Sequence, residues 1–244
     1  SPVVMKHVKA QPNHKVLEWS SRFETLADNA VNSRLRQFYQ AGAVSAQTSI
    51  DSLQLLAMDV ETTGLDAQAD SIVSIGVMPF TLQRIYCGNS LYWVIKPASE
   101  LNEKSVTFHH ITHAEISDAP TFEQVLAPLL EAMAGKVMVV HYRNIERAFL
   151  DQAVRRHLGE GFEFPVIDTM QLEARLHRQK RGWFARLMER SQPSIRLADS
   201  RARLGLPAYH AHHALNDALA TAELLQAQVA TYYSASTPVG ELWN

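Results

Sequence analysis

The sequence predicts an α/β fold: a mixed sheet of five strands, flanked by helices and preceded by an N-terminal helical extension. Three apolar, β-rich runs follow one another and predict an antiparallel meander; they are residues 53–61, 71–80 and 86–95. Helical and strand patterns then alternate, with helices expected at 121–134, 144–158, 169–177 and 213–229 and strands at 137–140 and 164–168. A meander followed by this alternation indicates a mixed sheet covered by helices.

The N-terminal part of the chain is predicted to be helical. Apolar residues recur at approximately helical spacing between Val16 and Tyr39, which fits one long helix or two shorter ones. We expect residues 1–50 to form this extension, residues 51–233 the α/β domain and residues 234–244 a C-terminal tail. The extension either packs on the domain or offers a surface for a partner protein or a second copy, and the spacing favours neither.

Composition and charge exclude several classes of protein. A net charge of −2 does not mark the chain as a nucleic-acid binder, so any basic surface must be local. A single cysteine, Cys87, excludes an internal disulfide bond and fits a reducing compartment. Neither a signal peptide nor an apolar run of about 20 residues is evident, so we expect no membrane association and a cytoplasmic location.

The stretch from Ala57 to Leu65 contains the first candidate site. Asp59 and Glu61 stand two residues apart at the end of an apolar strand, so both side chains point to the same face. Two carboxylates side by side in a buried place repel each other and lose hydration. A divalent cation relieves both costs, and carboxylate oxygens are ligands that Mg²⁺ and Mn²⁺ prefer. Gly64 follows in a turn, where glycine is available for a positive φ.

Two later motifs also place acids near the ends of elements that border the sheet. His141 ends a buried strand and is followed five residues later by Glu146, and His212 precedes Asp217 by the same interval at the start of the last helix. Open α/β sheets bind ligands at the carboxyl ends of their strands. These acids are therefore expected to converge with the first pair on one cation site.

Together, Asp59-Val-Glu61-Thr-Thr-Gly-Leu65, His141-x4-Glu146 and His212-x4-Asp217 resemble the motifs of the DEDD 3′–5′ exonuclease superfamily. The subclass is the one with a histidine before the final aspartate, and within it the sequence is most similar to the proofreading (epsilon) subunits of bacterial DNA polymerase III. The resemblance covers about residues 53–229.

This resemblance implies an RNase H-like fold and a phosphodiesterase site that uses two Mg²⁺ or Mn²⁺ ions. The implied ligands are Asp59, Glu61, Glu146 and Asp217, and the implied general base is His212. A histidine takes up a proton close to neutral pH, as a base for water requires. His213 competes for this role, because its spacing from Asp217 is that of the tyrosine-bearing subclass. A zinc site at the histidine cluster is a weaker alternative, since no cysteine lies nearby.

The chain departs from the family pattern at three positions. Glu146 stands where relatives have Asp, and the extra methylene moves the carboxylate by about 1.5 Å on a fixed backbone. Tyr142 stands where Asn is frequent. His110 stands where Gly is usual, and its bulkier side chain is expected to alter access to the 3′ end. Asp151 is a poor substitute for the missing Asp because it lies more than a turn away. Asp168 is predicted to cap a helix or support the site rather than to bind a cation.

Substrate contacts implied by the resemblance are at Thr62, Thr63, Leu65 and His109, with Leu65 either wedged against the terminal base or tucked into the core. A basic segment from Arg175 to Arg203, with nine Lys or Arg and only two acids, adds Arg181 and Trp183 as candidates. Such a segment tracks a nucleic-acid backbone or forms a solvated helical face. It would also fit an anionic protein partner.

The sequence therefore predicts a metal-dependent 3′–5′ exonuclease that shortens single-stranded DNA or short oligonucleotides from the 3′ end and releases nucleoside 5′-monophosphates. The alternative is a catalytically weak nucleic-acid-binding or adaptor module that retains the fold. The preference between DNA and RNA depends on contacts to the 2′-hydroxyl, and no motif reports on these.

Overall fold

A computed structural model describes residues 15–97, 110–180 and 193–244, apart from the side chains of residues 179 and 180. It contains one five-stranded sheet in the order β3-β2-β1-β4-β5. The strands are β1 (Leu55–Thr62), β2 (Ile72–Phe80), β3 (Leu91–Val94), β4 (Val137–Val140) and β5 (Val166–Asp168). The pairs β1–β2 and β2–β3 are antiparallel, whereas β1–β4 and β4–β5 are parallel. The predicted mixed sheet is confirmed, although β3 is shorter than expected.

Eight α-helices are described in these parts of the chain. They are α1 (Trp19–Asn29), α2 (Ser33–Gln40), α3 (His113–Ser117), α4 (Phe122–Met133), α5 (Arg143–Leu158), α6 (Thr169–Lys180), α7 (Leu197–Arg203) and α8 (Ala214–Tyr232). Local chemistry fixes several ends. Thr121 forms a capping box with Gln124 at the start of α4, and Gly135 follows that helix with a φ of +71°. The helix α7 was not predicted, because its sequence carries more charge than apolar periodicity.

The N-terminal extension consists of two helices rather than one. The chain turns after α1 because Glu160 accepts hydrogen bonds from the backbone N–H groups of Val31 and Asn32, at 2.8 Å each. The side chain of Asn32 then caps α2. Phe38 packs edge-to-face on Phe162, with ring centroids 5.3 Å apart, so aromatic contacts join the extension to the rest of the chain. The extension therefore packs on the α/β domain.

Residues 234–244 were expected to form a tail, but the structure builds them into the core. Leu242 and Trp243 are fully buried. Asn244 exchanges two backbone hydrogen bonds with Val166 on the β5 edge, and the Trp243 indole donates to the carbonyl of Leu17. Leu242 and Trp243 cover the edge of the sheet and the adjoining extension. A polar tail would leave both exposed. The division into domains stays a prediction. Within the described ranges, no helix combines the length and apolar character needed to cross a bilayer.

Candidate active site

The first two acids of the site lie on β1, and both face the start of α8. Glu61 is buried, and its Oε1 accepts hydrogen bonds from Ser74 Oγ at 2.7 Å and from the backbone N–H of Ala214 at 3.2 Å. His110 Nε2 lies 3.0 Å from the same oxygen. Because a protonated ring nitrogen donates to a carboxylate, this oxygen has three donors around it. The Glu61 side chain is therefore held firmly in one place.

The N-terminus of α8 approaches the sheet closely enough for these contacts because β2 carries a glycine there. A Cβ atom built on Gly76 would lie 2.6 Å from the backbone carbon of Ala214 and 2.6 Å from the nitrogen of Leu215. Both neighbours are main-chain atoms, so a side chain has no room. Gly76 thus allows the last predicted helix to meet β1 and β2.

Asp217, in the first turn of α8, meets Asp59 through a side-chain hydrogen bond. Burial raises the pKa of Asp59 well above its ordinary value, and the charges of Glu146, Asp217 and Glu61 raise it further. Burial also raises the pKa of Asp217, to about 6, although the nearby imidazole of His212 opposes the rise. The hydrogen bond between the two side chains raises the pKa of Asp59 and lowers that of Asp217.

The fourth acid, Glu146, belongs to the first turn of α5 and is 2% exposed. Burial raises its pKa well above the ordinary value, and the charges of Asp168 and Asp217 add to this effect, whereas the backbone N–H of Val60 lowers it. These influences place the Glu146 carboxylate beside β1. Asp151 faces elsewhere, since its Oδ1 accepts from the N–H of Phe162 and its Oδ2 from Arg155.

The donor set of this site fits a divalent cation. The charges of Glu61, Glu146 and Asp217 all raise the pKa of Asp59, and both Glu146 Oε2 and Asp217 Oδ1 are buried without a hydrogen-bond partner among the described residues. Buried oxygens without donors are costly, and a cation supplies the missing partner. As they stand, however, no three His, Cys, Asp or Glu side chains of the described ranges form a group that could hold an ion. Binding of an ion would therefore require these side chains to rearrange.

The two competing histidines differ in their surroundings. His213 caps α8, with its Nδ1 accepting from the N–H of Leu215, and its ring stacks on Tyr92 at a centroid distance of 4.5 Å. His212 is exposed and lies near Asp217. Its φ of +67° is unfavourable for a residue other than glycine. His213 is held by its capping hydrogen bond and its stacked ring, whereas His212 is exposed. We therefore favour His212 over His213 as the residue that acts on a water molecule.

The turn after β1 differs in one respect from the prediction. Gly64 does not have a positive φ; instead, a Cβ there would lie 2.3 Å from the Asp70 carboxylate, so a side chain at this position would displace Asp70. Thr63 donates to that carboxylate, and Thr62 donates to the carbonyl of Gly64 at 2.6 Å. Leu65 is 84% exposed, so it is not tucked into the core. The threonine hydroxyls shape the turn that displays this leucine.

The basic segment has two kinds of side chain where the structure describes it: Arg175 and Arg201 are buried, whereas Arg178, Arg196 and Arg203 are exposed. The buried Arg201 donates to the carbonyls of Ala220 and Pro207, and Arg175 to the carbonyl of Glu241. Arg203 pairs with the buried Glu173 at 3.1 Å. Arg201 and Arg203 join α7 to α8 and to α6, and Arg175 joins α6 to the C-terminal segment. The nucleic-acid contacts predicted for the basic segment as a whole stay a prediction. His109, Arg181 and Trp183 lie outside the described residues, and their predicted contacts stay predictions.

Sequence reasoning missed Ser74 and Gly76, which secure Glu61 and seat α8. A signal for one of them was present, because a glycine inside an apolar strand marks close approach of another backbone. Asp168 was anticipated correctly as a cap. Its Oδ1 accepts from the N–H groups of Tyr142 and Met170, and its Oδ2 accepts from Arg143.

Comparison with known proteins gives a consistent result. The sequence profile of RNase_T, described as an exonuclease family, matches residues 56–225. A PolC-type DNA polymerase III from Thermotoga petrophila is 28% identical over 181 residues, which make up 74% of this chain and 12% of that protein. An epsilon-like DNA polymerase III subunit protein from Rhodobacter capsulatus is 28% identical over 73% of this chain and 24% of its own length. The chain thus spans less than a quarter of these relatives.

Solved structures share the fold. Exonuclease X in complex with 5′ overhanging duplex DNA superposes with a TM-score of 0.56 at 23% identity, covering 77% of this chain and 99% of that one. The nuclease domain of 3′hExo, a DEDDh family member bound to rAMP, gives a TM-score of 0.57 at 14% identity, over 72% of this chain and 92% of that domain. These likenesses confirm the predicted RNase H-like exonuclease fold.

Proposed function

Because this chain belongs to the exonuclease family RNase_T, we propose that it removes nucleotides from the 3′ end of single-stranded DNA or short oligonucleotides. In this proposal residues 51–233 form the nuclease domain, and the products are nucleoside 5′-monophosphates. The site would use two divalent cations, Mg²⁺ or Mn²⁺. A single-stranded 3′ end is the expected substrate, because Exonuclease I from E. coli, a structural neighbour, is seen in complex with a dT13 oligonucleotide.

The observation that carries the proposal is the convergence of four acids from three separated parts of the chain. Asp59 and Glu61 lie on β1, Glu146 on α5 and Asp217 on α8, and the charges of the other three raise the pKa of Asp59. Bringing four carboxylates together without compensating cationic side chains is destabilising. An arrangement of that cost is expected where function requires it, and binding of divalent cations is the function it suits.

In this proposal each side chain of the site has its own role. Asp59, Glu61, Glu146 and Asp217 would hold the ions, which supply Lewis-acid activation of water and charge stabilisation at the phosphate when bound. His212 would accept the proton of the attacking water, since its exposed imidazole lies close to Asp217. Ser74 and the N–H of Ala214 keep Glu61 oriented throughout. The exposed Leu65, together with Thr62 and Thr63, would contact the terminal nucleotide.

A weakly catalytic, nucleic-acid-binding or adaptor role is the second candidate. Two observations favour it: Glu146 replaces the usual aspartate, and three donors already surround Glu61 Oε1. Calorimetric titration with Mg²⁺ separates the candidates, because the nuclease requires two ions per site. A single weak ion would support the binding module. The extension formed by α1 and α2 remains available in either case as a surface for a partner protein or a second copy.

The function is tested with a 5′-labelled single strand and Mg²⁺ or Mn²⁺. We expect a ladder of products that shortens from the 3′ end, and Asp59→Asn should abolish it. Asp51→Asn, an exposed change before β1, is the matched control and should leave the ladder intact. An Asp59→Asn protein as active as the parent would contradict the assignment. Parallel assays with RNA and dinucleotides establish which substrate is preferred.

A further inference from the structure

Tyr142 is an exposed aromatic residue at the edge of the candidate site. It is 42% exposed and directly precedes α5, the helix that carries Glu146. Its backbone N–H donates to Asp168, yet neither its ring nor its hydroxyl makes a hydrogen bond or ring contact with the described residues. A tyrosine whose ring and hydroxyl both lack partners has both groups available to a ligand.

The backbone at this position is held in an unfavourable conformation. Tyr142 has φ +83° and ψ +76°, and it shares a positive φ with only one other non-glycine residue of the described ranges, His212. Conformations of this kind persist when the surroundings impose them, and they are concentrated at functional sites. Both such residues here belong to the motifs that bring acids to the site.

The neighbours of Tyr142 keep it in place. The ring of His141 is fixed on both sides, by Thr169 Oγ1 at 2.8 Å and by the carbonyl oxygen of Ile195 at 2.9 Å. On the other side, Arg143 is tied to Asp168 through its backbone and its guanidinium group. Tyr142 is thus displayed between two anchored residues. A rigidly displayed side chain loses little conformational freedom when it binds a ligand.

Strand register brings Tyr142 close to the acids. In the parallel pair of β1 and β4, Ala57 lies opposite Val139, so the residues after β4 emerge beside Asp59 and Val60. Tyr142 also directly precedes the first turn of α5, which carries Glu146, and the backbone N–H of Val60 on β1 acts on the Glu146 carboxylate. A polynucleotide with its 3′ end at the acids would therefore pass within reach of the tyrosine.

From this placement we propose that Tyr142 stacks on a nucleobase of the substrate strand and so determines how tightly the strand is held near its 3′ end. The inference rests on the proposed exonuclease function. The ligand group is the flat face of a base rather than a phosphate, since tyrosine carries no charge. Stacking of this kind tolerates every base and would confer affinity without sequence preference.

Binding of oligonucleotides to three variants tests the proposal. Tyr142→Phe keeps the ring and should bind like the parent protein. Tyr142→Asn removes the ring but suits a left-handed backbone, so we expect affinity to fall by about tenfold while the melting temperature is kept or raised. Tyr86→Asn, at the opposite end of the sheet, is the control and should bind normally. Affinities are measured by fluorescence anisotropy in Ca²⁺, which takes the same carboxylate ligands as Mg²⁺.

A strand with a single abasic position makes the test specific. The abasic position is moved stepwise from the 3′ end, and at one position the difference between the parent and Tyr142→Asn should disappear, because the missing base was the partner of the ring. A Tyr142→Asn protein that binds every strand as tightly as the parent would overturn the inference while leaving the nuclease ladder unaffected. Failure of the parent to bind or shorten any strand would overturn the proposed function itself, and this inference with it.

Discussion

Gly76 lies directly opposite Asp59 in the antiparallel ladder of β1 and β2, and the absence of a side chain at Gly76 admits the α8 backbone at Ala214. The first and last motifs of the sequence meet at this point. Asp59 supplies one acid from the strand, and α8, seated on Gly76, supplies Asp217 three residues after Ala214. The geometry of the site therefore depends on a residue that carries no functional group.

Gly76→Ala should weaken both stability and activity. The added Cβ would meet main-chain atoms at 2.6 Å, which cannot move without shifting the start of α8. Such overpacking costs about 1–3 kcal/mol of unfolding free energy. Displacing Asp217 by about 1 Å is expected to lower kcat roughly 100-fold. Thermal denaturation and the strand-shortening assay measure the two effects.

Gly88→Ala is the matched control for this change, because a Cβ at Gly88 meets nothing within 4 Å. It should leave both the melting temperature and kcat close to those of the parent. A Gly76→Ala protein with normal kcat would show that α8 adjusts without moving its acid, and the close approach would then be irrelevant to the site.

The features that the sequence predicted correctly are those that residues close together in the chain determine. Continuous apolar, β-rich runs predicted β1 and β2, and Thr121 and Gly135 marked the ends of α4 correctly. Asp59 and Glu61 were proposed from their position at a strand end, and Glu146 and Asp217 from the spacing of the motifs that contain them. By contrast, the burial of Trp243 and the internal role of Arg201 depend on contacts with residues far away in the chain. A basic run has the same composition whether its side chains face water or a carbonyl group inside the protein.

The ion-free protein should gain stability from protonation of the Asp59–Asp217 pair. The pKa of Asp217 is raised from 3.8 to about 6, so its contribution to stability is present at low pH and is lost as the pH rises through about 6. Asp217→Asn prevents this loss of stability, because asparagine does not ionise. We therefore expect the variant to melt at a higher temperature than the parent at pH 7.5, and the difference to shrink as the pH falls towards 4.

Adding Mg²⁺ at pH 7.5 should reverse this order, because the ion stabilises the parent and not the variant. Scanning calorimetry across pH, with and without Mg²⁺, records both effects. Asp51→Asn serves as the exposed control and should track the parent at every pH. A constant difference between Asp217→Asn and the parent from pH 4 to 8 would argue against a raised pKa in the shared pair.

His212 and His213 are distinguished by replacing each with asparagine. Asparagine tolerates the φ of +67° at His212 and also caps helices well, as His213 does at the start of α8. Structure should therefore survive in both variants. We expect His212→Asn to lower kcat by about 100-fold or more, with KM little changed, and His213→Asn to retain most of its activity. Equal losses would assign the proton transfer to neither residue.

Glu146 is tested by shortening it and by neutralising it. Glu146→Asp restores the residue usual in relatives, and we expect activity to be unchanged or higher; a sharp fall would identify the longer side chain as a tuned ligand. Glu146→Gln replaces a buried carboxyl group whose pKa is raised by burial. Because ionisation of that carboxyl opposes folding above its pKa, the Gln protein should melt at a higher temperature without metal ions but lose activity.

The ring of His110 lies between two different contacts. Its Nε2 faces Glu61 Oε1 at 3.0 Å, and its ring lies against His213 at a centroid distance of 5.0 Å. His110→Gln keeps a donor and loses the ring, whereas His110→Phe keeps the ring and loses the donor.

The Oε1 atom of Glu61 has two lone pairs and three donors around it, which makes it a poor cation ligand. Removing one donor should therefore favour binding of the ion. We expect His110→Phe to bind Mg²⁺ about threefold to tenfold more tightly, and His110→Gln to bind like the parent. Calorimetric titration measures both, and weaker binding by His110→Phe would show instead that the donor orients Glu61 for the cation.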